Sequence, residues 1–537
     1  MSKSKQKRKA QQSQLQQAGG AAKKAKTTPV LSTVGVGAFE PKFLSTVVAE
    51  EDLEITVDTL RALVENPGLI KSKACKDLRT AVFEFRKACT TGFNAAGDSN
   101  LTSRISGALA DGGHTEARVL LSEMRIRQQK PKLGALCRWV RDLDVISGLA
   151  EQRGGLARRT EAQAETLKVL DAILRVTGPV DYSSATPSPT DDEDDDDDDG
   201  NAAAAAAAAV TAAVTAEVVS SPQEPAGTLS VRPAWDLRGA SSHHHPRRMV
   251  YSSVLDGTLA SSMPAGLRGQ FRVIQTVPGP ERNPPNKHPA TVYASRDGAI
   301  ALAPATSPHA PKTTHHSHPT VPGLHLLRDV LSAGECERII GAAEGVGFAP
   351  DAPVRPGGDS PAAAENSVLA HNFYWVVDEE FCRGLWARVE PFVPERVGGR
   401  KVRGLNRRFR VYRYVPGAEY RAHIDGAWPP SGILPDDTYQ YDASPPDAKQ
   451  SSLFTFLVYL NDDFSAGETT FFLPSSREGT LNAYPVRPIQ GSVAMFPHGE
   501  TEGSLLHEGT GVMREEKPTA KYVIRTDVEY DVDPGRD

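Results

Sequence analysis

The chain is poor in the residue patterns that staple, anchor or export a protein. Its five cysteines (Cys75, Cys89, Cys137, Cys336, Cys382) are odd in number and scattered, with no Cys-x-x-Cys pair. That excludes a disulfide framework and a cysteine zinc site, and it fits a reducing compartment. No stretch of about 18 apolar residues occurs, so no segment reads as a membrane span. The first residues are Lys, Gln and Ser and lack the apolar core of a secretory signal. The expectation is a nuclear or cytoplasmic protein that is not secreted. There is also no uniform excess of one charge. The net charge is -6, but an acidic run from Asp191 to Asp199 holds nine negative charges, and without it the balance is +3. Such a balance does not point to a protein that coats nucleic acid.

What is present is segregated along the chain. Residues 1–45 are polar, rich in Gln, Ala and Lys, and read as a disordered basic tail. Lys7-Arg8-Lys9 and Lys23-Lys24-Ala25-Lys26 resemble the two halves of a nuclear import signal, or form a plain solvated tail. Residues 50–176 read as helical, with apolar periodicity in 53–64, 74–88, 116–127, 133–149 and 162–174 broken by Gly and Asn clusters. Four to six helices in a small bundle are expected there, with Trp139 and Leu143 in its core. The region offers no paired carboxylates or metal ligands. A basic stripe from Arg125 to Arg141 reads as a solvated helix face, with an acidic partner or nucleic acid as the other reading. Residues 180–318 read as a low-complexity linker rich in acid, Ala and Pro, in which only 270–277 alternates like a strand. The histidine clusters His243 to His245 and His315, His316, His318 sit among Pro, Ser and Thr, and read as loop composition.

From Leu324 the texture changes. A strand over 324–331 runs into a helix that Ser332 caps, with Glu335 three residues on forming a capping box. A second helix covers 379–389. After Gly404 come short strands at 408–415, 419–425, 453–460, 469–472, 492–496 and 521–530, separated by turn residues, as in a barrel or jelly roll. Alternate residues of a strand share a face, so His423 and Asp425 point the same way. Iron(II) with open positions suits two histidines and one carboxylate. The second histidine is His507, anchored by Leu505 and Leu506, in preference to His498 in its Gly-flanked turn.

Five ordered pieces resemble the prolyl 4-hydroxylase-like branch of the 2-oxoglutarate- and iron(II)-dependent dioxygenases. They are Asp329-Val330-Leu331-Ser332 with Glu335-Cys336-Glu337; Tyr412-Arg413-Tyr414, Pro416-Gly417 and His423-Ile424-Asp425; Val458-Tyr459-Leu460-Asn461; Ala466-Gly467-Glu468-Thr469-Thr470-Phe471; and His507-Glu508-Gly509 with Lys521 to Val528. The resemblance implies an α+β chain whose residues 320–532 form a double-stranded β-helix with flanking helices. It implies iron(II), 2-oxoglutarate and dioxygen, with ascorbate as a further cofactor, and a protein or peptide substrate hydroxylated on proline. By the same resemblance a basic residue holds the 5-carboxylate of 2-oxoglutarate. Lys521 is preferred over Arg525, which lies on the same face of the strand, and Tyr414 and Tyr459 either add hydroxyl contacts or simply pack. The sequence departs from the pattern at Ala466, where the family has glycine, and in the spacing from His507 to Lys521. The insert 428–450, rich in Pro with Tyr439 and Tyr441, reads as a lid, a substrate groove or a surface loop. Two other readings are an oxygenase acting on a small molecule or nucleic acid, and a silent binding module in which the helical region carries the function.

Overall fold

The strand Gln450–Tyr459 shows how the sequence builds the layers in the computed structural model of the protein. Phe454, Phe456 and Val458 join a core with Ile339, Ile340 and Phe381 of the helices Ala333–Val346 and Glu379–Val389. Leu457 and Tyr459 alternate to the opposite face and join a different core. A strand buried on both faces reads as a near-continuous apolar run, as this one does.

The structure describes residues 48–91, 100–146, 159–182, 226–238, 249–264, 266–282, 286–351 and 368–535. The import-like clusters, the acidic run, the poly-Ala stretch and His243 to His245 lie outside them. The chain divides into a unit ending at Phe85 and a unit from Arg86 onward. The first holds the helices Glu50–Glu65 and Pro67–Ile70 and most of Lys76–Thr91.

The second unit is mixed helix and sheet. Its larger sheet has 11 strands, with the main order Phe271–Val277, Ala290–Ser295, His371–Val376, Arg408–Tyr414, Lys521–Asp531, Gln450–Tyr459, Val493–Pro497, His325–Arg328, Thr314–Ser317. The smaller has six, in the order Leu229–Val231, Leu481–Val486, Thr469–Pro474, Leu506–Gly509, Ala418–His423, Val368–Leu369. Neither sheet closes on itself. Side chains from the two meet face to face: Phe471 packs edge-on to Phe496 at 4.9 Å, and Tyr459 donates to Thr469 Oγ1 at 2.8 Å.

Helices cover the outer face of each sheet. On the larger sheet, Ser332 and Glu335 form the expected capping box, with Glu335 Oε2 accepting Ser332 N at 2.8 Å. Glu335 also binds Arg388 of the neighbouring helix at 2.7 Å, and Arg388 donates to Val330 O at 2.8 Å. A buried cation and anion thus neutralise each other where both helices meet the sheet.

On the smaller sheet lie the helices Leu101–Ala110, His114–Ile126, Leu133–Leu143 and Glu161–Thr177. Their apolar faces do not close on one another alone. Leu136, Trp139, Leu170 and Ile173 share one core with Ala422, Ile424, Phe472 and Leu506 of the sheet. Trp139 is buried, and Leu143 packs at the edge of this core. Asp171 accepts Gly479 N at 2.7 Å, and Arg175 donates to Ser475 O at 2.7 Å, so the last helix grips the turn between two strands.

Within the stretch read as linker, Phe271–Val277 is the strand that its alternation suggested. Ala290–Ser295 and Thr314–Ser317 are strands as well. His315 and His316 therefore lie in a strand rather than a loop, because this segment pairs with His325–Arg328. His315 Nε2 sits 2.9 Å from His325 Nδ1, and no third His, Cys, Asp or Glu joins them among the described residues.

Candidate active site

His423 ends the strand Ala418–His423, and Asp425 follows just beyond it. His507 lies opposite His423 on Leu506–Gly509. The intervening residues face away: Ala422, Ile424 and Leu506 are in the core under the helices. Cys137 donates to Ile424 O at 3.7 Å, and Arg421 pairs with Asp144, so the helical layer holds the segment that carries His423 and Asp425.

One donor atom from each of His423, Asp425 and His507 comes together with the others inside 4.8 Å. His423 Nδ1 lies 2.7 Å from Arg421 O, and His507 Nδ1 lies 3.1 Å from Leu505 O. A carbonyl only accepts, so each Nδ1 carries a hydrogen, which leaves Nε2 as the nitrogen whose lone pair can turn inward. Those lone pairs face the carboxylate, at 3.2 Å for His423 and 3.5 Å for His507. Burial holds His507 neutral, with its pKa pulled down to about 3. Burial opposes the charge on Asp425, but the Arg525 guanidinium outweighs it and keeps the carboxyl well below the usual range. Asp425 Oδ1 is buried and accepts no aligned hydrogen bond. Two imidazole nitrogens and a carboxylate oxygen, the latter in an ion pair with Arg525, thus converge on one point. Such a set fits a cation, and two histidines with one carboxylate suit iron(II) with open positions.

A second layer orients the carboxylate. Thr455 donates to Asp425 Oδ2 at 2.7 Å, and its oxygen lies 2.8 Å from His498 Nδ1. The Thr455 hydrogen is committed to Asp425, so His498 Nδ1 is the donor in that contact. His498 Nε2 then accepts from Ser452 Oγ at 2.9 Å. His498 is therefore not one of the three donors; it sits two hydrogen bonds behind Asp425, through Thr455, and burial lowers its pKa.

The donors open into a cavity lined by Tyr412, Tyr414, Tyr420, Thr455, Leu457, Thr469, Gly509, Lys521, Val523 and Arg525. Both candidate cations are on it, but their surroundings differ. Arg525 lies 2.8 Å from Asp425 Oδ1 and 3.2 Å from Asp527 Oδ1, so two carboxylates already balance it. Lys521 has no carboxylate partner among the described residues; its Nζ donates to Gly467 O at 2.7 Å and lies 4.9 Å from the Tyr414 ring centre. Burial pulls its ammonium down to about 7. The carbonyl it meets lies in a tight turn, where Ala466 at φ 60° and Gly467 at φ 74° are both left-handed. Ala466 therefore sits in a conformation that disfavours a side chain.

Tyr414 lines the cavity close to Gly509, where a Cβ would lie 2.9 Å from the phenol oxygen. Tyr459 does not line it, and its hydroxyl is used on Thr469. Sequence reasoning missed Tyr420, whose ring centre lies 4.5 Å from that of His423. Simple alternation puts residues three apart on opposite faces. A register shift between Tyr420 and His423 brings both into the cavity.

No protein-family model matches the chain, and no curated protein matches it. Among solved structures it is similar to the viral collagen prolyl hydroxylase of Paramecium Bursaria Chlorella virus-1, which is 18% identical, with a TM-score of 0.24, over 39% of this chain and 96% of that one. It is also similar to HygX from Streptomyces hygroscopicus, with nickel and 2-oxoglutarate bound, at 17% identity and a TM-score of 0.22, over 39% of this chain and 83% of that one. An oxidoreductase of the 2OG-Fe(II) oxygenase family from Burkholderia pseudomallei is 18% identical, with a TM-score of 0.17, over 30% of this chain and 55% of that one.

Proposed function

We propose that this chain is an iron(II)- and 2-oxoglutarate-dependent dioxygenase that hydroxylates a prolyl residue in a protein substrate, with ascorbate as a further cofactor. In this reading the two facing sheets are a double-stranded β-helix. The observation that carries it is the convergence of His423, Asp425 and His507 on one cavity with Lys521, which has no carboxylate partner among the described residues. The three donors hold the iron, which supplies dioxygen activation coupled to the conversion of 2-oxoglutarate to succinate and CO2. Lys521 takes the distal carboxylate, and Tyr414 lies beside it. Arg525 and the Thr455–His498 pair keep Asp425 ionised and oriented. The apolar walls at Leu457 and Val523 keep water from the reacting atoms.

The test is succinate release from 2-oxoglutarate by the purified full-length protein. Release that needs iron(II) and stops with a chelator is expected; no iron-dependent succinate would refute the reading.

The lowered Lys521 pKa adds a second expectation. A carboxylate binds the ammonium form, and free Lys521 is largely neutral above its pKa of about 7. Binding 2-oxoglutarate to the nickel-loaded protein should therefore take up about one proton at pH 8 and close to none at pH 6. Calorimetry in buffers of different ionisation enthalpy measures this. Equal uptake at both pH values would show that another group anchors the ligand.

A further inference from the structure

The strand Arg408–Tyr414 continues the cavity wall outward. Tyr412 and Tyr414 line the cavity, and alternation puts Arg410 and Arg408 on the same face towards its mouth. Arg410 and Arg408 both lie over the ring of Tyr374, at 5.1 Å and 4.3 Å. Arg408 also lies 4.2 Å from the ring centre of Trp428, the first residue of the insert after the metal strand. Arg410 Nη1 is 3.4 Å from the hydroxyl of Tyr420, whose ring packs on His423. A continuous ledge therefore runs from Arg408 to the metal donors.

The ledge is positively charged. Asp351 is shared by Arg410 at 2.6 Å and Arg282 at 3.2 Å. Arg408 has no carboxylate partner among the described residues, and its guanidinium is held only by the two rings. Tyr374 reports the local field: burial opposes ionisation of its phenol, yet Arg410, Arg408 and Arg282 outweigh burial and lower its pKa. A guanidinium pinned between rings keeps its planar edge of N–H donors free, which is the geometry that recognises a carboxylate.

We propose that Arg408, clamped by Tyr374 and Trp428, is a substrate subsite that binds the carboxylate of an Asp or Glu near the hydroxylated residue. The inference rests on the dioxygenase reading of the adjoining cavity and names the substrate class as an acidic peptide. Arg408 lies about 7 Å further along the strand than Arg410. At roughly 3.4 Å per extended residue, that places the acid about two to four residues from the acceptor. A peptide is favoured over a nucleic acid because Arg408 already lies on both rings that a base would use for stacking.

The test uses full-length, nickel-loaded protein with 2-oxoglutarate and fluorescein-labelled peptides containing one proline. The peptides carry Glu, Gln or Lys three residues from the proline, and binding is read by anisotropy at low salt. The Glu peptide is expected to bind about tenfold tighter than the Gln peptide, and the Lys peptide weakest. Arg408→Gln should remove the discrimination, Arg408→Glu should reverse it, and Arg408→Lys should retain part of it. Equal binding of all three peptides, or an unchanged order in Arg408→Glu, overturns the proposal. So does displacement of the Glu peptide by a single-stranded oligonucleotide at lower concentration than by unlabelled peptide. Absence of iron-dependent succinate would instead overturn the dioxygenase reading, so the two failures are told apart.

Discussion

Replacing His507 with alanine is expected to abolish iron-dependent succinate release and to erase the stabilisation that a divalent metal gives the protein. The donor set has three members, so loss of one imidazole leaves a carboxylate and a single nitrogen. Saturating metal at about 100 times its Kd stabilises a folded protein by about 2.7 kcal/mol, read as a rise in Tm of several degrees. Nickel should give the wild-type chain such a rise and give His507→Ala none, and His423→Ala should behave in the same way. His498→Ala separates a ligand from a group behind it. Thr455 still reaches Asp425 in that variant, so metal binding should survive, weakened along with activity by about 10- to 100-fold. Full activity in His507→Ala, or an effect in His498→Ala equal to that in His507→Ala, would show that the two histidines have been assigned the wrong way round.

The three converging donors were legible because their signals are local. His423 and Asp425 show their common face in the sequence, and Leu505-Leu506 marks a buried strand before His507. The capping box at Ser332 and the apolar run of Gln450–Tyr459 are equally local. Features made by distant pairing were not legible. The register shift that turns Tyr420 into the cavity exists only because two strands meet out of step. Leu481–Val486 contains Asn482 and Pro485 and lacks the β-branched texture of a strand, yet it pairs on both sides. Helix Leu101–Ala110 buries only Leu101, Ile105 and Ala108, a stripe too thin to stand out. Its one clear signal was Asn100, whose side chain accepts Ser103 N at 3.2 Å. The amphipathic helices up to Thr177 showed that they bury one face, but a stripe does not say against what. Here the partner is the back of the strands that carry His423 and His507. The choice between Lys521 and Arg525 also needed the fold. The sequence preferred Lys521 only for its place at the start of the strand; the fold adds that two aspartates surround the arginine, while no carboxylate pairs with the lysine among the described residues.

That difference gives Lys521→Met a double signature. A buried, charge-assisted hydrogen bond contributes about 1.5–3 kcal/mol, so the KM for 2-oxoglutarate should rise by roughly 10- to 100-fold. Arg525→Ala should act mainly through Asp425, lowering metal affinity and kcat with a smaller change in that KM. The second half of the signature is stability without ligand or metal. Lys521 is 1% exposed and no carboxylate pairs with its ammonium among the described residues, so a methionine of similar length relieves a desolvation penalty. The pH dependence follows from the lowered pKa. Between about 7 and the ordinary lysine value of 10.5, the unfolded chain binds a proton that the folded chain does not. Wild-type stability therefore rises with pH across that window, by about 1.4 kcal/mol per pH unit. Lys521→Met lacks this slope, so its advantage over wild type should be largest at pH 7 and shrink towards pH 9. Urea denaturation of the metal-free proteins at the two pH values measures it. A 2-oxoglutarate KM that moves more in Arg525→Ala than in Lys521→Met would transfer the anchor to the arginine. A stability difference that stays constant with pH would mean that Lys521 keeps its charge by another route, and the calorimetric proton uptake at pH 8 should then vanish with it.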